Sequence, residues 1–162
     1  MSEAEIVLAD LNDLGQQQAI LDLLDEYSQE PVISGKPLAK DVRERLIGGL
    51  QQHPTTHVLL AYIGERAVGV AVCFLGFSTF AAKPLLNIHD IAVAAEHRGQ
   101  GIGKQLLIAV EAQARRLGCC KLTLEVFEEN SPARAAYRSA GFDHAGGAQS
   151  AMRCLFLAKA IS

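Results

Sequence analysis

The stretch LLNIHDIAVAAEHRGQGIGKQLL, residues 85–107, decides the fold. Its first part, Leu85 to Val93, is rich in large apolar residues and reads as a buried strand. Its middle, Arg98-Gly99-Gln100-Gly101-Ile102-Gly103, is a glycine-rich turn. Its end opens an amphipathic helix. There Ile102, Leu106, Val110, Ala114 and Leu117 recur at near-fourfold spacing until Gly118 stops the pattern. Glycines let successive backbone N–H groups point into one concavity, and a helix start adds about half a positive charge. Strand, turn and helix in this order make a seat for a phosphate or pyrophosphate. Arg98 and Lys104 can add side-chain charge to it.

Upstream, Glu5 to Ala9 reads as a first strand. Asn12 or Asp13 can cap a helix reaching about Tyr27, with Leu14, Leu21 and Leu24 on its apolar face. Ser28 to Pro37 holds two Pro and a Gly and is a loop. A second helix runs from about Leu38 to Leu50, weakened by Gly48 and Gly49 and stopped by Pro54. Strands His57–Ile63 and Arg66–Phe77 flank the hairpin signal Gly64-Glu65. Downstream of the turn and its helix, Lys121–Phe127 is a strand. Ser131-Pro132 opens a short helix as cap and first residue, and Gly141 closes it. After a turn at Gly146-Gly147, Met152–Lys159 reads as a final apolar strand. The order β α α β β β α β α β predicts an α/β fold with helices packed on a mixed sheet. No repeat or linker interrupts it, so residues 4–160 are expected to form one domain.

The composition narrows the function. With 162 residues, 49% hydrophobic and 20% charged, a packed core is expected without disulfide or metal support. Fifteen Lys and Arg stand against 18 Asp and Glu, a net charge of −3. Lacking a basic stretch, the chain is not expected to grip nucleic acid. The N-terminus, MSEAEIVLAD, is acidic where an export signal is basic, and the apolar run Ala67 to Phe77 is too short to span a bilayer. A cytoplasmic protein without a membrane partner is expected. Cys73, Cys119, Cys120 and Cys154 show neither a secreted disulfide framework nor zinc spacing, and read as reduced core thiols. Pro54 separates His53 from His57, while His97 and His144 sit in turns, so no metal is expected.

The glycine-rich turn admits several readings. A Walker loop needs Ser or Thr after GxxxxGK; here Gln105 follows Lys104, and Arg98 stands at the first Gly. A dinucleotide fingerprint needs a third Gly where Lys104 stands, and it follows a first strand instead of an antiparallel meander. An αβ connection that binds nothing is another reading. The last is Arg-x-x-Gly-x-Gly, and a second motif bears on it. Residues 130–142, NSPARAAYRSAGF, follow the next strand. Asn130 and Tyr137 lie two helical turns apart, so both can face one ligand.

Together the two motifs resemble those of the GNAT N-acetyltransferase family. Asn130, Ala133, Tyr137, Gly141 and Phe142 match the family's Asn-x-x-Ala-x-x-(Leu)-Tyr-x-x-x-Gly-Phe, with Ala136 in place of a larger apolar residue. Ile88 to Val93 is similar to its strand before the turn. The likeness is strong from about Leu86 to Phe142 and elsewhere rests on element order. It implies a mostly antiparallel central sheet flanked by helices, with two splayed parallel strands at its centre. It also implies transfer of an acetyl group from acetyl-CoA to an amine by direct attack in a ternary complex, without a metal.

On this resemblance the amides of Arg98, Gly99, Gln100, Gly101, Ile102 and Gly103 would hold the pyrophosphate, with Lys104 beside them adding side-chain charge. Backbone groups of Ile91, Ala92 and Val93 would align the pantetheine arm and polarise the thioester, with Asn130, Ala133 and Tyr137 also facing coenzyme A. Tyr137 would protonate the leaving thiolate. Arg134 and Arg138 either meet the coenzyme's phosphates or form a solvated face. Strand alternation puts Asn87, His89 and Ile91 on one face and Ile88 and Asp90 on the other. His89, with a reference pKa of about 6.5, is the candidate base. Asp90 is the alternative, as base, amine ligand or support of His89. Tyr27 and Glu30, beside Glu26 and Ser34, are candidates for the acceptor site, and Phe74 to Phe80 would add aromatic wall.

The run from Gly76 to Val93 is also similar to the polyamine and small-amine branch, but His89 stands where that branch has an acid. A small-molecule amine is the expected acceptor. A peptide or protein N-acetyltransferase, and a non-catalytic acyl-CoA-binding module, are the alternatives. The apolar final strand is a candidate to pair across a homodimer.

Overall fold

The computed structural model describes residues 3–143 and 155–161. Within them the chain runs β1 (Glu5–Leu8), α1 (Leu14–Ser28), α2 (Lys40–Gln52), β2 (Thr56–Ile63), β3 (Arg66–Ser78) and β4 (Lys83–Val93). A short 3-10 turn at Ala95–His97 follows, then α3 (Ile102–Arg116), β5 (Leu122–Leu124) and α4 (Ser131–Ser139). The strands lie side by side in chain order. The first three pairings are antiparallel; β4–β5 is parallel, its crossover made through α3.

The sheet is buried on both faces, and β2 shows why. Val58 and Leu60 point to the α1 and α2 layer, where they meet Ile20, Leu23, Leu24 and Leu50. Leu59 and Ala61 point to α3, which lays Ile102, Leu106, Leu107, Val110 and Ala114 against the opposite face. Each large apolar side chain so buried contributes about 1.5–3 kcal/mol. Gly69 on β3 lets α3 come close, since a Cβ there would lie 3.0 Å from Leu106 Cδ1 and 3.3 Å from the Ala92 carbonyl oxygen.

Several expectations are corrected. α2 runs past its expected end near Leu50 to Gln52, with Gly48 and Gly49 inside it. Asn130, not Ser131, caps α4, with its side-chain oxygen accepting the Ala133 N–H at 3.3 Å. The strand expected over Lys121–Phe127 is paired only at Leu122–Leu124. The final apolar strand falls partly on residues 144–154, outside the described residues. Its described part is not in a strand, and Leu155, Phe156 and Leu157 are exposed. A strand needs a partner edge as well as an apolar pattern. Of the thiols, only Cys73 is buried; Cys119 is half-buried and Cys120 exposed, while Cys154 lies outside the described residues.

Candidate active site

Parallel strands β4 and β5 pair only from Leu86 to Ile88 against Leu122 to Leu124. Asn87 ties the middle of this pairing together, its Nδ2 donating to Thr123 Oγ1 at 3.0 Å. Beyond Ile88 the β5 ladder stops while β4 continues along β3 to Val93. A gap in the sheet therefore opens beside Asp90–Val93. Leu86 N–H points to β5, bonding Lys121 O, whereas Ala94 N–H points to β3, bonding Val68 O. By alternation back from Ala94, the backbone of Ile91 and Val93 faces the gap. Ala92 turns its backbone to β3 and its side chain into the α1 and α2 core.

The register also carries a bulge. Val72 pairs with Asp90 and Cys73 with Ile88, which leaves His89 unpaired. A bulge reverses which face the following residues use. The expected sharing of a face by Ile88 and Asp90 is thereby overturned. Ile88 belongs to the α3-side core, as do Ile91 and Val93, whereas Ala92 belongs to the α1-side core. Asp90 goes with Ala92, to the side of Tyr27. His89 stays at the exposed rim, its ring edge-on to Phe74 with centroids 5.5 Å apart. Nothing in the apolar alternation of the strand signals this bulge.

Burial raises Asp90 above the usual carboxylate range, with the neighbouring His89 opposing the shift. Tyr27, at the end of α1, is pushed up to about 12 by burial and by the charges of Asp90, Tyr137 and Glu30. Tyr137, on α4, is raised by burial. It packs on the α3-side core, edge-on to Phe142 at 6.0 Å. Tyr27 sits on the opposite face, against the α1-side core. The two tyrosines thus approach the gap from the two faces of the sheet, near enough for the charge of one to raise the other. Of the expected aromatic wall, Phe74 is half-buried here, while Phe77 and Phe80 stand exposed.

The glycine-rich turn precedes α3. Gly99 and Gly101 both take left-handed backbone, with φ of +73° and +83°, where other L-residues are strained. Gly101 is the N-cap of α3, and as a glycine it gives the helix no side-chain cap. The N–H groups of Ile102, Gly103 and Lys104 have no carbonyl within the helix to bond. Arg98 does something else. Its Nε donates to Val93 O at 2.9 Å and its Nη2 to Glu30 Oε1 at 2.5 Å. The expected extra charge of Arg98 is therefore directed at the α1 end, and Glu30, expected at the acceptor site, is committed to Arg98. The pattern Arg-x-x-Gly-x-Gly could not reveal a partner 68 residues away. Arg134, read as a phosphate contact or a solvated face, gives its Nη1 to Glu128 O at 3.0 Å.

The model of the acetyltransferase (GNAT) family matches residues 18–142. The chain belongs to the GNAT acetyltransferase family. It is 30% identical to the thialysine N-epsilon-acetyltransferase of Bos taurus over 140 residues, covering 80% of this chain and 78% of that protein. It is 40% identical to the streptothricin acetyltransferase of Streptomyces lavendulae over 85 residues. That match takes in 52% of this chain and 45% of the relative's own length. A solved structure described as a probable acetyltransferase shares its fold, with a TM-score of 0.80 and 20% identity, covering 98% of this chain and 99% of that one. This GNAT protein is thus an acetyl-transferring enzyme, and GNAT acetyltransferases use acetyl-CoA. Among its described residues, no helix is long and apolar enough to cross a membrane.

Proposed function

We propose that this GNAT protein moves the acetyl group of acetyl-CoA onto a primary amine of a small molecule, in the gap between β4 and the chain beyond β5. The observation that carries the reading is the bulge at His89. It turns a buried acid, Asp90, toward Tyr27 on one face while Ile91 and Val93 keep their backbone toward the gap. The names of the bovine and Streptomyces relatives, which specify thialysine and streptothricin, support a small amine acceptor.

Acetyl-CoA supplies the activated acyl group. The left-handed glycines and the open N–H groups of α3 fit a diphosphate, since they offer donors and a partial positive charge at one place. Asn130 keeps its side-chain N–H₂ for the coenzyme while its oxygen caps α4. Ile91 and Val93 align the pantetheine arm. An alkylammonium has a reference pKa of about 10.4, so on the order of one molecule in a few thousand is neutral at pH 7. Asp90, raised by burial, is a stronger base than an ordinary carboxylate and takes that proton. His89, beside it at the rim, passes the proton to water. The neutral nitrogen forms the C–N bond, the C–S bond breaks, and the second proton that the nitrogen sheds returns through water to Tyr137 after it has acted. Tyr137, a phenol protonated at neutral pH and raised further by burial, gives its proton to the departing sulfur. A thiolate is poorly tolerated in such surroundings: burial and Asp90 push the Cys73 thiol up to about 12.

The test is a panel of amines beginning with thialysine, with thiol release followed, in the wild-type protein and in Tyr137→Phe. The variant is expected to lose turnover by about 10²-fold with unchanged calorimetric affinity for coenzyme A. Unchanged turnover removes the acid role of Tyr137. Acceptance of peptides alone overturns the small-amine reading.

A further inference from the structure

Two contacts join the end of α1 to the chain just after β4. Glu26 Oε1 accepts the Ala95 N–H at 2.7 Å. Glu30 Oε1 accepts from Arg98 Nη2 at 2.5 Å, and the same guanidinium holds Val93 O through Nε at 2.9 Å. In sequence these rungs bracket Tyr27. On the other side they bracket the segment that leaves β4 and enters the glycine-rich turn.

The loop after α1 is closed on itself. Ser28 Oγ donates to the carbonyls of Asp25 and Lys36 at 2.8 Å each, and Ser34 Oγ donates to Ser28 O at 2.7 Å. Such a loop moves as a unit. Tyr27 and Leu38, at its two ends, pack on the core that includes Ala92 and Ala94, and the two rungs add directed polar contacts to the chain after β4.

We propose that Arg98, Glu30 and Glu26 form a strap that locks the wall of the acceptor site to the diphosphate-binding turn. Arg98 and Glu30 are then positioning residues for the amine and not ligands of either substrate. The proposal rests on the reading of the Tyr27–Asp90 face as the acceptor site. Its geometry is specific: a bidentate guanidinium spends one edge on a strand carbonyl and one on a carboxylate, which fixes direction as well as distance. With side chains 46% and 25% exposed, the pair adds little to global stability. Its effect is expected in the placement of Tyr27 over Asp90.

The experiment uses the full chain with Arg98→Gln, Glu30→Gln and the double variant. Hydrogen exchange of the 27–35 amides, calorimetry with coenzyme A, and steady-state kinetics with thialysine or the best amine of the panel are read together. Each single variant is expected to speed exchange in the loop by about tenfold and raise the amine KM by a similar factor, with kcat changed less. Coenzyme A affinity should stay within about twofold, and the double variant should be no worse than either single one. Unchanged exchange in the loop overturns the strap. So does a loss of coenzyme A affinity in Arg98→Gln that Glu30→Gln does not share, which would make Arg98 a diphosphate ligand. A wild-type protein that turns over no amine in the panel defeats the functional reading, while the exchange and calorimetric results still decide the strap.

Discussion

Burying a carboxyl without an ion-pair partner costs free energy, and the cost falls on its charged form. Asp90 is in that position: burial raises it, and His89 offsets only part of the shift. The consequence for stability has a definite sign. Between the ordinary carboxylate value of 3.8 and the raised folded value, the native protein binds more protons than the unfolded chain. Stability attributable to this group therefore falls as pH rises through that window. Asp90→Asn is expected to melt higher than the wild type at pH 7, with the difference closing as pH is lowered and gone below 3.8. The same variant should lose the acid limb of the pH profile of kcat/KM, where His89→Ala should keep it. A wild-type melting temperature equal to or above that of Asp90→Asn at pH 7 would show that the acid is not held at a cost.

Two elements are set by glycines for different reasons. At Gly69 the reason is space: a Cβ would press on Leu106, Ala61 and the Ala92 carbonyl. Gly69→Ala is expected to cost about 1–3 kcal/mol in denaturant unfolding, because α3 must lift from the sheet. At Gly99 the reason is conformation alone, since a Cβ there has nothing within 4 Å but φ is +73°. Gly99→Ala should cost roughly 1–2 kcal/mol. It should also weaken coenzyme A binding, because relief of the strain turns an N–H out of the concavity. Loss of stability with full affinity would separate the turn from the ligand. The helix end itself needs no side-chain cap if an anion supplies that function, and α3 has none.

Across the whole molecule, the sheet keeps apart two layers that the proposed reaction needs together. The turn, α3 and Tyr137 lie on one side, with α1, Tyr27 and Asp90 on the other. Among the described residues, the sheet opens between them where β5 leaves β4. A ligand that seats on the turn and threads this gap binds the folded chain and not the unfolded one. Coenzyme A at a hundredfold excess over its Kd should stabilise the protein by about 2.7 kcal/mol. For a domain of this size, that raises Tm by roughly 5–11 °C. No shift at saturating coenzyme A would contradict a site in the gap.

Much of this was legible in the sequence, because helices and strands announce themselves through periodicity. The apolar spacing of Ile102 to Ala114 predicts α3, and Gly64-Glu65 places the hairpin between β2 and β3. The two glycine-containing motifs, which match the family at fixed spacing, place the turn and Tyr137. Pattern alone could not supply partners. Where Lys121–Phe127 stops pairing, which edge the apolar C-terminal run meets, and whom Arg98 binds all depend on groups distant in the chain. The bulge at His89 is a mismatch between the lengths of two strands, and no single strand carries it. Local chemistry therefore determined the elements and the glycine-rich turn, whereas the facing of Asp90, the gap and the contacts of Glu26 and Arg98 came only with the tertiary structure, because each is a relation between residues that the linear order leaves free.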